Sequence, residues 1–189
     1  MVITENESAI SNLLAAYEGE INAHAKYKAF AVKAESEGLF RAASLFRAAA
    51  RAEQIHAGNH ARVIRRMGRE ATARIHPFSV RSTLENLRSA LFGEQHEIDS
   101  LYPAFLEHAK SCWDTIAARS FNWAMEAEKS HAKLYSDAVK AFESGGITHW
   151  TKADLEFYVC TVCGYTANVI ESDNCPVCNF LWNRFEVIR

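Results

Sequence analysis

Along about the first 146 residues, alanines and leucines are interleaved with glutamates, lysines and arginines, and prolines are almost absent. All five residue types favour helices, so the pattern predicts long helices that each carry an apolar stripe. The four predicted helices are Glu5–Glu37, Phe40–Met67, Val80–Lys110 and Trp113–Glu143. Helices of roughly 30 residues are about 45 Å long, and they bury their apolar stripes by packing together as a bundle.

The pattern changes after Gly145-Gly146. The segment Glu156–Cys160 alternates as a strand does, and the chain from there to Arg189 is aromatic, β-prone and rich in cysteine. A module of fewer than about forty residues encloses little apolar core, so it usually needs a metal or disulfides. We therefore expect a mainly α protein with two domains, a helical bundle over residues 1–147 and a small β domain over residues 153–189.

Composition narrows the class of protein further. The 189 residues are 49% apolar and 23% charged, with a net charge of −2, which excludes a disordered or low-complexity chain. The near-neutral charge gives no reason to expect nucleic acid or an anionic membrane as a partner. There is no apolar run of the roughly 18 residues that a transmembrane helix needs, and the N-terminal residues lack a signal-peptide pattern. We expect a cytoplasmic protein.

Acids and histidines recur in the helices at matched spacing. The second and fourth helices each carry a Glu-x-x-His segment, whose two side chains share one helix face. A single glutamate on the preceding helix lies 33 or 34 residues before each segment. Two such hairpins, packed with pseudo-twofold symmetry, bring together the ligand set of a carboxylate-bridged di-iron site in a ferritin-like bundle. These six candidate ligands are Glu20, Glu53, His56, Glu94, Glu128 and His131.

A seventh candidate ligand breaks the symmetry between the two halves. Glu97 lies three residues after Glu94 on the same helix face, whereas the first helix has Ala23 at the equivalent position. Ferric iron is hard and favours carboxylate, while ferrous iron accepts imidazole more readily. We hypothesise that one iron ion moves between His56 and Glu97 as its oxidation state changes.

Two tyrosines follow the candidate ligands along the chain. Tyr27 lies seven residues after Glu20, and Tyr102 lies five residues after Glu97. Their hydroxyls are candidates to donate hydrogen bonds to the ligating carboxylates. The alternative is that both are core aromatic residues whose hydroxyls have no role in the site.

Four of the five cysteines lie in two Cys-x-x-Cys pairs, Cys160/Cys163 and Cys175/Cys178, separated by eleven residues. Four thiolates at this spacing form a tetrahedral metal site. An iron tetrathiolate transfers one electron, whereas a zinc ribbon with the same spacing serves only folding. The spacing leaves both metals open, and three local features favour iron. They are Gly164-Tyr165, Pro176, and the aromatic residues Tyr158, Trp182 and Phe185.

Together the two constellations resemble rubrerythrin, a ferritin-like di-iron domain followed by a rubredoxin-like domain, over essentially the whole chain. The third helix carries the family's Gly-Glu-x-x-Glu and Tyr-Pro motifs, and the fourth carries Ala-Glu-x-x-His. One departure is Asn179, where many relatives have glycine; asparagine tolerates the left-handed backbone. The matching positions are Glu20, Glu53, His56, Gly93, Glu94, Glu97, Tyr102, Pro103, Ala127, Glu128, His131 and the four paired cysteines.

The resemblance implies a non-haem di-iron peroxidase that reduces hydrogen peroxide to water in defence against oxidative stress. The seven helical ligands would form the catalytic site, and the cysteines would hold an iron ion that relays electrons to it. Rubrerythrins receive electrons from a reductase or rubredoxin fed by NAD(P)H, and they commonly relay them across a homodimer. The resemblance thus implies a homodimer or a higher homo-oligomer.

Three other functions remain open on the sequence. A ferritin-like ferroxidase that takes up and stores iron fits the bundle, but it leaves the four-cysteine module without a role. A zinc ribbon that docks a partner fits the cysteines, but it leaves the di-iron site working alone or inert. An oxygenase acting on an organic substrate is a weaker third alternative, because the sequence reveals no substrate pocket.

Overall fold

The computed structural model of the chain describes residues 5–146, 150–151 and 156–189. A π-helical turn, Glu97–Leu101, joins α3 to α4, so these two helices form one interrupted arm of the bundle. The fold is therefore the predicted four-armed helical bundle, followed by a small region of β-strands. The helices are α1 (Glu5–Ser36), α2 (Phe40–Arg66), α3 (Thr83–His96), α4 (Tyr102–Ser111) and α5 (Thr115–Glu143).

Two helices begin later than the sequence pattern predicts, and capping side chains explain both differences. Ser82 and Glu85 form a capping box, in which each side chain accepts from the other's backbone N–H, so α3 begins at Thr83 and not at Val80. The side chain of Asp114 accepts hydrogen bonds from the backbone N–H groups of residues 116 and 117 and caps α5. Trp113, predicted to start this helix, instead adopts a positive φ of 57°.

Two apolar clusters fill the bundle and flank a polar middle. Along α1 the buried residues run from Leu13 and Ala16, through Glu20, to Tyr27 and Phe30. The first two belong to one cluster, which includes residues 64, 102 and 121, and the last two belong to another, which includes residues 46, 87 and 135. The carboxylate of α1 is therefore placed between two blocks of close-packed apolar side chains, where water is excluded.

The C-terminal residues form a three-stranded antiparallel sheet in the order β2-β1-β3. Its strands are β1 (Phe157–Cys160), β2 (Thr166–Ala167) and β3 (Phe185–Ile188). Phe157 and Val159 of β1 are buried in the apolar cluster of the bundle. Both Nε and Nη2 of Arg51 on α2 donate to the carboxylate of Glu186 on β3, at 2.6 and 2.8 Å. Apolar packing and this ion pair hold the sheet against α2.

The predicted domain boundary, after residue 147 and before residue 153, lies largely outside the described residues. Within the ranges that are described, the mainly α fold with a small β region at its C-terminal end is confirmed. No helix in those ranges combines the length and the hydrophobicity that crossing a membrane requires.

Candidate metal centres

Four helical arms bring the six predicted helical ligands together in the middle of the bundle, and each residue is at most 1% exposed. They form two groups of four whose ligand atoms lie within 4.8 Å of one another. Both groups contain Glu53 and Glu128, while Glu20 with His56 and Glu94 with His131 each belong to one group. Two shared carboxylates between two sets of terminal ligands are the arrangement of a di-iron site.

The imidazole Nδ1 atoms face the carboxylates. His56 Nδ1 lies 2.8 Å from Glu128 Oε1, 3.0 Å from Glu53 Oε2 and 3.5 Å from Glu20 Oε2. The equivalent atom of His131 lies 2.6 Å from Glu128 Oε2 and 3.8 Å from an oxygen of Glu53. Each imidazole therefore presents Nδ1 as the metal-binding atom.

The donor set of the helical site fits two iron ions. One oxygen of each of its four glutamates is buried and makes no hydrogen bond of normal geometry with the described residues. A buried carboxylate oxygen without a partner is costly, and a bound cation removes that cost. Carboxylates together with imidazoles are ligands that suit iron. The four oxygens are Glu20 Oε2, Glu53 Oε1, Glu94 Oε2 and Glu128 Oε1.

Burial and mutual repulsion raise the pKa values of some carboxyls of the site, while the neighbouring histidines lower that of Glu128. Burial, and then the charge of Glu128, raises the pKa of Glu94 to about 8. Burial and the same neighbour raise the pKa of Glu53 well above its usual range. Burial acts in the same sense on Glu128, but His56 and His131 outweigh it and lower its pKa well below the usual range. Without metal, the site therefore retains protons that a bound cation must displace.

The far nitrogens of both imidazoles contact the cysteine module. His56 Nε2 lies 3.0 Å from the backbone oxygen of Cys163, and His131 Nε2 lies 3.1 Å from Thr166 Oγ1. With Nδ1 directed at the carboxylates, Nε2–H of His56 donates to the carbonyl of a predicted metal ligand. Such an outer hydrogen bond fixes the tautomer and the orientation of a ligating imidazole. The two candidate metal centres are thus joined by a single side chain and one peptide group.

Gly164 permits this close approach. Its φ is 83°, and a Cβ at this position would collide with the imidazole ring of His56. On the sequence, Gly164 is only a feature that favours iron over zinc. In the structure it is also the residue that permits contact between the two modules, a contact that the sequence does not predict.

The tyrosine hydroxyls donate to ligating carboxylates, but across the two hairpins. The Tyr27 hydroxyl donates to Glu94 Oε1 at 2.6 Å, and the Tyr102 hydroxyl donates to Glu20 Oε1. His60, which the sequence analysis did not select, lies with its Nε2 3.3 Å from the Tyr102 hydroxyl. The two hydroxyls hold one oxygen of each terminal glutamate and leave the other oxygen for a metal.

Glu97 lies outside both groups of ligand atoms. It begins the π-helical turn, its side chain is half-buried, and it lines a groove beside α1. Burial, and then the charges of Glu20 and Glu128, raises the pKa of Glu97 well above the usual range. The exchange of His56 for Glu97 stays a prediction.

The four paired cysteines converge as predicted. Cys160 Sγ lies 3.6 Å from Cys178 Sγ, and Cys163 Sγ lies 3.6 Å from Cys175 Sγ. A disulfide requires about 2.05 Å, whereas this distance is close to the edge of a sulfur tetrahedron around a metal with bonds of about 2.3 Å. Asn179 has a positive φ of 61°, the left-handed backbone that asparagine is expected to tolerate. The cluster suits a rubredoxin-type metal.

Comparison with known proteins agrees with both centres. The family model for rubrerythrin matches residues 11–139. The chain is 33% identical to rubrerythrin-2 of Clostridium acetobutylicum, over 96% of this chain and 97% of that protein. It is 35% identical to nigerythrin of Nitratidesulfovibrio vulgaris, over 90% of this chain and 82% of that protein. The structure of fully reduced, all-ferrous nigerythrin superimposes with a TM-score of 0.85 at 34% identity, over 95% of this chain and 86% of that one.

Proposed function

This chain belongs to the rubrerythrin family of di-iron proteins, and from that premise we propose that it reduces hydrogen peroxide to water. Its oxidoreductase role of the peroxidase type follows from the family. The substrate and the route of the electrons are our proposal. The observation that carries it is the hydrogen bond between His56 of the helical site and the Cys163 carbonyl of the four-cysteine cluster.

The reaction consumes one peroxide, two electrons and two protons, and it yields two water molecules. Two ferrous ions in the helical site would supply both electrons. Glu53 and Glu128 would lie between the metals, since both belong to each ligand group. The Tyr27 and Tyr102 hydroxyls would hold Glu94 and Glu20 in position while the charge of the centre changes. Burial keeps bulk water away and strengthens every electrostatic contact within the site.

The contact between the two centres supports an electron relay. The cysteine cluster would return electrons one at a time, and the peptide carbonyl of Cys163 and the imidazole of His56 span the gap to the helical site. Asn59 Nδ2 also donates to the Val162 carbonyl at 2.9 Å, which ties the Cys160–Cys163 turn to α2. Iron storage requires no attached one-electron carrier, so this arrangement favours the peroxidase over the ferroxidase alternative.

We propose that the unit over residues 1–147 carries the reaction and that the unit over residues 153–189 receives electrons from a reductase or rubredoxin fed by NAD(P)H. A homodimer and a cytoplasmic location complete the proposal. Catalysis would rest on the six buried ligands together with Glu97.

The experiment compares two ways of reducing the iron-loaded protein without oxygen. In the wild type, both a NAD(P)H-fed reductase and a chemical reductant should sustain peroxide consumption. Cys175→Ser should abolish the ferric-thiolate absorbance and the reductase-driven reaction, while the chemically reduced helical site still reacts with peroxide. If iron instead accumulates beyond the metal sites and reacts with dioxygen faster than with peroxide, the ferroxidase alternative is correct.

A further inference from the structure

A groove with a volume of about 450 Å³ runs between α1 and the extended segment that follows α2. Gly19, Ala23 and Lys26 of α1 form one wall, and Phe78 of the extended segment forms the other. Glu97, at the start of the π-helical turn, also lines it. Glu97 is thus the one predicted metal ligand among the residues that line the groove.

Polar side chains of α1 hold the outer wall in place. Asn22 Nδ2 donates to the Arg74 carbonyl at 2.8 Å, and its Oδ1 accepts from the His76 backbone N–H at 2.7 Å. The His76 side chain lies 2.6 Å from Glu18 Oε1. The apolar side chain of Ile75 remains 57% exposed. The segment is therefore tied to α1 without packing onto it, and the space beneath stays open.

Glu97 connects this groove to the buried ligands. The side chain of Glu97 is half-buried, and its exposed part faces the groove. Glu97 lies three residues after the candidate ligand Glu94, so the two side chains project from the same face of this helical arm.

The other approaches to the ligand cluster are covered by described residues. Cys163 and Thr166 cover the far nitrogens of the two imidazoles. Phe46 and Phe121, both at most 1% exposed, lie in the two apolar clusters that flank the site along the bundle. On the groove side, in contrast, α1 presents Ala23 at the position equivalent to Glu97, and Gly19 lies one turn before it.

We propose that this groove is the entry route of the oxidant to the helical site, with Glu97 at its inner end and Gly19 keeping it wide. The inference rests on the proposed function for the identity of the oxidant, a small uncharged molecule that forms hydrogen bonds. The wall carries both signs of charge, with the ammonium group of Lys26 and the carboxylate of Glu18. Such a wall offers donors and acceptors without selecting for an ion.

Gly19 and Gly58 provide a matched pair for the test. Both lie within helices, and a Cβ at either position meets no heavy atom within 4 Å. Replacing either glycine with leucine favours the helix and creates no clash in the backbone's immediate surroundings. Only the side chain at position 19 enters the groove, because Gly58 lies on the exposed face of α2.

The first readout is the second-order rate at which peroxide oxidises the fully reduced, iron-loaded protein. Gly19→Leu should lower this rate by about tenfold or more, whereas Gly58→Leu should keep it within about twofold of the wild type. The second readout is azide binding to the oxidised protein, followed by absorbance. Gly19→Leu should slow azide association and dissociation by the same factor, so that the azide Kd stays unchanged.

The two readouts separate failure of the route from failure of the proposed function. An azide association rate in Gly19→Leu equal to that of the wild type overturns the route, whatever happens to peroxide. Slowed azide exchange in a protein whose wild type ignores peroxide supports the route and contradicts the peroxidase. If Gly19→Leu does not retain iron, Ala15→Leu, one turn earlier on the same wall, carries the test with the same two outcomes.

Discussion

The hydroxyl of Tyr27 on α1 donates a 2.6 Å hydrogen bond to Glu94 on α3, in the other helical hairpin. Tyr102 returns the interaction by donating to Glu20 on α1. Tyr27 follows Glu20 by seven residues, whereas Tyr102 follows Glu94 by eight. The π-helical turn Glu97–Leu101 accommodates the extra residue and returns the second tyrosine to the same face. The hairpins thus keep their symmetry at the ligands despite the inserted residue.

Removing either tyrosine hydroxyl should destabilise the protein. Tyr27→Phe and Tyr102→Phe each leave a buried carboxylate oxygen without its donor, which should lower the free energy of unfolding by about 1–3 kcal/mol. Denaturant unfolding of the metal-free protein measures this loss.

Tyr135 supplies the matched control for the two tyrosine variants. Its ring is fully buried in the same apolar cluster as Tyr27, but its hydroxyl has no hydrogen-bond partner among the described residues. Tyr135→Phe should leave the stability unchanged or raise it, because it removes an unsatisfied polar atom. Equal losses in all three variants would mean that the carboxylate contacts of Tyr27 and Tyr102 contribute nothing.

The metal-free protein should lose stability as the pH rises from about 6.5 to 9. Burial and the charge of Glu128 raise the pKa of Glu94 from 4.5 to about 8. Burial lowers the pKa of His131, but the Glu128 carboxylate outweighs it and raises that pKa from 6.5 to about 9. In this range the folded chain binds more protons than the unfolded chain, so stability falls with pH.

Thermal unfolding across this pH range checks the sign. The Tm of the metal-free protein should fall by several degrees, and Glu94→Gln should make the decline shallower. The iron-loaded protein should lack this decline, because metal binding requires deprotonated ligands. A Tm of the metal-free protein that rises towards pH 9 would contradict the assigned pKa directions.

The contact between Gly164 and His56 should control electron transfer between the two centres. Gly164→Ala forces a Cβ into the imidazole ring of His56, so the turn that contains Cys163 and residue 164 must move away from α2. Electron transfer from the reduced cysteine cluster to the oxidised helical site should slow by about tenfold or more, since closely held geometry is lost. Rapid mixing with absorbance detection measures this rate.

Asn179→Ala is the control for the Gly164 variant. Asn179 also follows the second cysteine of a pair and also has a positive φ, 61°, so both variants impose the cost of a left-handed alanine, about 1–2 kcal/mol. The side chain of Asn179, unlike a Cβ at position 164, is exposed. Equal rates in the two variants would show that the imidazole contact has no part in the relay.

Glu97→Ala should leave the metal content unchanged and slow peroxide turnover. The carboxylate lies outside both ligand groups, so iron binding does not depend on it. Our hypothesis is that it binds one iron ion only after oxidation, in place of His56. Steady-state kinetics with parallel metal analysis tests this role. Unchanged turnover removes the case for ligand exchange.

The sequence predicts which helical side chains come together, because helical spacing is local. Glu53 and His56 lie three residues apart on one face, and the repeat of this segment at a matched offset indicates a shared centre. The contact of His56 with Cys163 joins residues 107 positions apart, and it depends on how the sheet packs against α2. No spacing rule encodes such a contact.

The sequence also does not predict which carboxylates accept the hydrogen bonds of the two tyrosines. In the sequence, the nearest candidate ligand to Tyr102 is Glu97, on the same helical arm. In the structure its hydroxyl donates to Glu20 on α1. One extra residue in a continuous helical pattern does not reveal a π-helical turn. The turn therefore became visible only in the backbone of the folded chain.

A single-turnover experiment shows whether the two metal centres act together on hydrogen peroxide. Protein carrying two iron ions in the helical site and one on the cysteines is fully reduced without oxygen and mixed with one equivalent of hydrogen peroxide. We expect rapid oxidation of the helical site, followed by a ferric-thiolate absorbance as the cysteine cluster passes its electron on through the His56 contact. A reduced protein that peroxide leaves unchanged, while dioxygen oxidises it readily, would contradict the account.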